Sequence, residues 1–272
     1  MEAYYLTVTY VLTALLGLCV GSFLNVVIYR VPLGMSLSRP ASHCPHCGYV
    51  LHAHDNIPVL SYLLLGGKCR QCRARISPRY TAVELANTLL WILCVLLFWQ
   101  KSVALTCIYA VVCSVFLCIF FIDLAHKLIP DRFQLILLVA GIACIFLDKD
   151  YTPMSHVIGG VAGFAVLLLL GLLFERLYGE EALGGGDIKL VGTAGLILGA
   201  ERLLLSLVLC CIPAAIVMLI LRRRGRSDGA REGESFVEQN AVPFGPFLVC
   251  GFTVSLFLGK PLLDLYLSAL GL

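Results

Sequence analysis

Apolar runs of bilayer length recur along this chain, separated by short polar stretches. They predict helices over 6–28, 81–99, 102–122, 133–147, 156–175, 203–221 and 245–270, because a membrane crossing takes about 20 predominantly apolar residues. The run at 188–199 spans only 12 residues, which predicts a short, tilted or re-entrant helix lined by protein. The last run contains Gly259–Pro261, where it divides into two pieces as an alternative. The expected fold is all-α: a polytopic membrane bundle of about eight transmembrane helices. The first run is preceded only by Glu2, with no basic residue, and is too long for a signal-peptide core, so it reads as a retained helix.

Composition agrees with the pattern. Hydrophobic residues make up 60% of the chain, charged ones 14%, and the mean hydropathy is +0.92, whereas soluble domains carry about 25% charged residues. Net charge is only +3, but its distribution is lopsided. Arg30, Arg39, Lys68, Arg70, Arg73, Arg75 and Arg79 lie in the loop 30–80, and five more arginines in the loop 222–244. Threading the helices in turn puts both loops on one side, with Lys101, Lys149 and Arg202 on the other. The positive-inside rule then makes the basic side cytoplasmic and places the N-terminus outside. Short juxtamembrane loops explain these arginines better than nucleic-acid binding does, so the partner expected at this level is the lipid bilayer. The organisation expected is a first membrane helix (1–30), a cytoplasmic metal-binding loop (31–80) and a membrane bundle (81–272).

The thirteen cysteines form two populations. Nine lie in apolar helices and are expected to be small buried residues packing between them. The other four form Cys44-Pro45-His46-Cys47 and Cys69-Arg70-Gln71-Cys72, two Cys-x-x-Cys pairs separated by 21 residues in the one sizeable polar loop. That spacing signals tetrahedral thiolate coordination. Four soft ligands favour Zn2+, with rubredoxin-like iron the lesser alternative; cytoplasmic placement disfavours two disulfides. Four sulfurs close the site, so the zinc is expected to be structural and to supply the folding energy of the loop, with His43, His46, His52 and His54 at the surface.

Ionisable residues at the ends of membrane helices are functional candidates. Asp123 follows the run Val115–Ile122, and Asp187 follows Gly184-Gly185-Gly186. Topology places both at cytoplasmic helix ends, at one depth. Two carboxylates within hydrogen-bond distance share a proton, so one can activate a water while the other polarises a peptide carbonyl. Gly184 and Gly186 would permit close approach of an extended substrate. Taken singly, Asp187 also reads as a helix N-cap, and Asp123 as an interfacial charge. Asp131 is expected to support or cap the next helix. Glu84 and Asn87, three apart on one helix face, are either interfacial or part of a second site. Lys189 either tunes Asp187 or binds an acidic substrate group.

These residues resemble, over nearly the whole chain, the bacterial type IV prepilin leader peptidases, including those of type II secretion. The matching stretches are Gly21-Ser22-Phe23-Leu24-Asn25-Val26-Val27-Ile28-Tyr29-Arg30, the tetracysteine loop with Asn56-Ile57-Pro58 and Gly67-Lys68-Cys69-Arg70, and Ile76-Ser77-Pro78-Arg79-Tyr80. Further along come Asp123 with Ile129-Pro130-Asp131, Gly184-Gly185-Gly186-Asp187-Ile188-Lys189-Leu190, and Pro243-Phe244-Gly245-Pro246. Gly184-x-Gly186-Asp187 also fits the Gly-x-Gly-Asp pattern of presenilin-type intramembrane proteases. The resemblance implies a bacterial inner-membrane aspartyl endopeptidase with Asp123 and Asp187 catalytic. Its substrates would be prepilins or pseudopilins, with a basic leader removed after a glycine ahead of a hydrophobic helix. It also implies N-methylation of the new N-terminal residue, usually phenylalanine, with S-adenosylmethionine as donor. That second activity is associated with the part containing the cysteine loop, and the presence of all four cysteines favours the bifunctional form. Glu84 is the candidate for orienting the amine. A zinc-stabilised membrane scaffold and a transporter with the aspartates as ion ligands are the rival readings.

Overall fold

The computed structural model describes residues 2–179, 184–227 and 243–269; most of the polar loop 222–244 lies outside them. The α-helices among them are α1 (Glu2–Arg30), α2 (Leu60–Leu64), α3 (Arg79–Phe98), α4 (Val103–His126), α5 (Asp131–Leu147), α6 (Pro153–Tyr178), α7 (Gly185–Leu198), α8 (Ala200–Ser227) and α9 (Gly245–Ala269). Six of them, α1, α3, α4, α6, α8 and α9, are long and apolar enough to cross a membrane. No strand occurs among the described residues; two isolated bridges, His43 with Val50 and Lys68 with Arg75, are the only extended pairing there. The all-α polytopic expectation holds. The last run is one helix with Pro261 inside it, and α8 runs on to Ser227, so Arg222 to Arg226 belong to its final turns and not to the loop.

The chain forms two compact units, Met1–Cys118 and Ile119–Leu272. In the first, α1 and α3 pack so closely that a Cβ on Gly21 would stand 2.7 Å from the Cα of Glu84. Small residues at such a seam let helices approach where lipid offers no hydrophobic drive. Polar side chains complete it: Asn87 donates to Gly17 O (2.8 Å) and accepts from Ser114 Oγ (2.7 Å), tying α3 to α1 and α4.

In the second unit α7 is the axis. Its 14 residues rise about 21 Å, short of the roughly 30 Å hydrocarbon core, and Leu190, Val191, Ala194, Ile197 and Leu198 are fully buried. A helix apolar all round is one enclosed by protein; here α5 and α6 enclose it. A Cβ on Gly159 of α6 would lie 2.7 Å from Gly195 O of α7. At the helix ends away from Asp123, Asp148 caps α5 and accepts from Arg202 Nη2 of α8 at 2.8 Å. Arg202 also donates to Leu198 O (2.6 Å), lies over the Tyr151 ring (4.0 Å) and, through its carbonyl, accepts from Ser255 of α9 (2.7 Å). Both charged residues are buried.

The nine helical cysteines do not all pack inward. Cys94, Cys113, Cys118, Cys144 and Cys210 are buried, but Cys19, Cys107, Cys211 and Cys250 are exposed. A small apolar thiol facing lipid loses nothing by that exposure, so composition alone does not sort the two kinds.

Candidate active site and metal centre

Asp123 lies one turn inside α4, which continues to His126 rather than ending at Ile122. The helix stops where Lys127 takes φ +52° and returns its N–H to Asp123 O at 2.8 Å, a left-handed C-terminal closure. Pro130, extended, then starts α5. Asp123 is buried, and its Oδ2 accepts the backbone N–H of Gly245, the first residue of α9, at 3.1 Å.

Asp187 stands in the first turn of α7, which begins at Gly185, earlier than the apolar run indicates. The N-cap is Gly184 and not Asp187; the Asp187 N–H bonds back to Gly184 O at 2.9 Å. Its side chain is therefore not consumed as a cap. Burial holds the Asp187 carboxyl up at about 6, and the neighbouring charge of Asp123 adds to that. Thus α4, α7 and α9 bring the two aspartates into one electrostatic neighbourhood in the second unit.

The glycine turn is held from α5. Gln134 Nε2 donates to Gly186 O at 3.2 Å, while its Oε1 accepts from Thr193 Oγ1, about two turns along α7, at 3.1 Å. A Cβ on Gly186 would press on Ile129 Cβ at 3.0 Å, and one on Gly184 would sit 3.3 Å from Asp187 Oδ2. Lys189 pairs with Asp131 Oδ1 at 2.7 Å, both side chains exposed. Gln134 and Gly245 were not singled out as site residues from the sequence. The one signal for Gln134 is an amide inside an otherwise apolar run; Gly245 lies within a matching stretch that carries no role.

Glu84 and Asn87 lie in the first unit. Glu84 Oε2 accepts the Val59 N–H at 2.8 Å, and Asn87 is wholly buried with its amide bonded on both sides. Both side chains are thus engaged within the first unit.

The four loop cysteines converge: their sulfurs all lie within 4.8 Å of one another. Cys44 and Cys72 Sγ are 3.8 Å apart, and four thiolates at about 2.3 Å from a tetrahedral zinc would be about 3.8 Å apart. Each pair sits on its own knuckle, and the two knuckles share one hydrogen-bond pattern. Cys44 N donates to Tyr49 O and Gly48 N to Cys44 O; Cys69 N donates to Ala74 O and Arg73 N to Cys69 O. The N–H groups of Cys47 and His46 draw the Cys44 thiol down to about 6. Cys47, despite the Tyr49 N–H, is pushed up to about 11 by burial and the other sulfurs. Four thiolates in this space need a cation, so the donor set fits a closed-shell metal. His43, His46, His52 and His54 are exposed and stand outside the cluster. Beside it, Asp55 is opposed by its burial, yet Arg70 Nε (2.6 Å), the Tyr49 hydroxyl (2.9 Å) and His52 N–H hold it down at about 2.

Residues 15–98 match the family model described as the bacterial peptidase A24 N-terminal domain, and residues 110–219 the one for the type IV leader peptidase family. Curated relatives align along most of the chain. A prepilin leader peptidase/N-methyltransferase of Burkholderia pseudomallei is 37% identical, over 90% of this chain and 84% of its own length. Proteins of the same name from Aeromonas salmonicida and Pseudomonas aeruginosa are each 33% identical over 95% of this chain, with 94% and 93% of their own lengths covered. No solved structure matches. With its two family models, its aligned relatives and its spanning helices, the chain belongs to the type IV leader peptidase family.

Proposed function

We propose that this multi-pass inner-membrane protein is an aspartyl endopeptidase that removes the basic leader from prepilins or pseudopilins and N-methylates the residue thereby exposed. What supports it is the placing of Asp123 near the end of α4 and Asp187 in the first turn of α7, with Gly186 packed on Ile129 between α4 and α5, so that the charge of Asp123 opposes the ionisation of Asp187. In this reading Asp123, receiving the Gly245 N–H, is the ionised member. It takes a proton from the attacking water as the oxygen bonds to the scissile carbonyl carbon. Asp187 carries the proton and donates it to the carbonyl oxygen; collapse of the tetrahedral intermediate returns a proton to the leaving amine. Gly184, exposed, leaves the backbone beside Asp187 open to an extended substrate, while Gly186 lets the same turn pack on Ile129. The basic loops, placed in the cytoplasm, would set both aspartates at the cytoplasmic face, where leader and hydrophobic helix join.

Cys44, Cys47, Cys69 and Cys72 would hold a structural Zn2+, which on binding would neutralise their charge and fix the loop. S-adenosylmethionine would supply the methyl group; the side chains of Glu84, Asn87 and Lys189 already have partners and do not form a donor site by themselves. Incubation of the purified protein with a prepilin tests the proposal by mass: loss of the leader, then a methyl increment when the donor is added. Asp123→Asn and Asp187→Asn should each abolish the first change in a correctly inserted protein. Normal turnover by either variant refutes the dyad.

A further inference from the structure

We infer that α2 is an interfacial helix, which seats the cysteine-bearing insert on the bilayer through a leucine face. Leu60, Leu63 and Leu64 stand at i, i+3 and i+4, hence on one side of the helix. They are 48%, 66% and 77% exposed, and Ile57 just ahead is 44% exposed. The opposite side faces the insert: Tyr62 packs on Gly67, where a Cβ would meet its ring at 3.0 Å. A metal-stabilised loop with little core of its own does not gain by showing water three leucines in five residues.

The position of α2 identifies what covers them. Leu60 N donates to Pro58 O, closing a tight turn on Val59 at φ +61°, and Val59 N–H is held by Glu84 of α3. Glu84 is the sixth residue of α3, about 8 Å along its axis from Arg79. Since α3 is a spanning helix, the Glu84 carboxylate fixes the start of α2 beside the turns where the chain enters the bilayer. Lys68, Arg73 and Arg75 are exposed farther along the same insert, suited to anionic headgroups. An apolar face with basic residues nearby, tethered at membrane level, is the pattern of a helix lying in the interface. The occupant is therefore lipid, and the inference is independent of the aspartyl dyad.

The test is photo-cross-linking of the full-length protein in phosphatidylethanolamine vesicles containing phosphatidylglycerol, with p-benzoylphenylalanine replacing Leu64 or, as the water-facing control, His54. Lipid adducts at Leu64, measured by mass, should exceed those at His54 several-fold. With Leu63→Asp and the probe at Leu60, they should fall towards the control level, while the protein stays monodisperse. Adducts at Leu64 to a second copy or to added prepilin, in place of lipid, overturn the assignment. So does lipid labelling no greater than at His54.

Discussion

The backbone N–H of Gly245 donates to Oδ2 of Asp123 across 122 positions of sequence, at 3.1 Å. A Cβ at position 245 would lie 2.6 Å from that oxygen, so only glycine lets the start of α9 come this close. Gly245→Ala is expected to displace the carboxylate and lower kcat for leader cleavage by about 100-fold, the scale of a 1 Å misplacement. Insertion and thermal stability should change little. Cleavage assays run beside a melting curve check it.

Asp187 is held at about 6 by burial and by Asp123. As the proton-bearing member of the pair it loses that proton as pH rises through about 6. The alkaline limb of kcat/KM is expected there, steepening towards a tenfold loss per pH unit, with values that belong to the pair. The sign for stability follows: the folded state binds this proton more tightly than the unfolded one. The second unit therefore loses stability as pH rises from about 4 to about 6. The pH–rate profile of the unaltered protein checks the first, and melting temperature against pH, whose slope Asp187→Asn should flatten, checks the second.

Gln134 bonds Gly186 O and Thr193 Oγ1 at once. Gln134→Leu removes both partners and is expected to lower kcat about tenfold or more with KM little changed, since the turn bearing Asp187 loses its brace. Gln134→Glu is the sharper probe. A protonated glutamic acid reproduces the donor and the acceptor, whereas the carboxylate turns an acceptor towards Gly186 O. Its activity should approach that of the unaltered protein at low pH and fall as the group ionises. A profile parallel to that of the unaltered protein argues against the brace.

Gly48 (φ +72°) and Arg73 (φ +60°) each stand four residues after the first cysteine of a knuckle. The same backbone conformation is thus met once by glycine and once by arginine. Arg73→Gly is expected to stabilise the insert by about 1 kcal/mol, and Gly48→Ala to destabilise it by about as much. The checking measurement is resistance of the insert to chelator-induced proteolysis, ranked Arg73→Gly, unaltered protein, Gly48→Ala.

The helices were legible because bilayer length and apolar runs leave little choice, and the cysteine pairs because thiolate spacing is local. The ends were less so: α4 carries Asp123 a turn inside it and α7 starts before its apolar run, since glycines and polar residues extend a helix without showing in hydropathy. What the sequence could not display were contacts made by tertiary approach. Gln134 meets Gly186 across 52 positions, and Arg202, read as a loop charge, lies buried against Asp148. Neither partner is marked by its neighbours in the chain.

The Arg202–Asp148 pair bears on how the molecule is built. Asp148 ends α5, and its cation arrives 54 residues later with α8. A lone charge at a helix end can stay near the aqueous boundary, but burying it without its partner is costly. This corner therefore closes only when α8 lies against the end of α5, where His156 Nε2 of α6 also stands 3.9 Å from the same carboxylate oxygen. One buried ion pair thus locks together two helices that are remote in sequence, at the end of the unit away from Asp123.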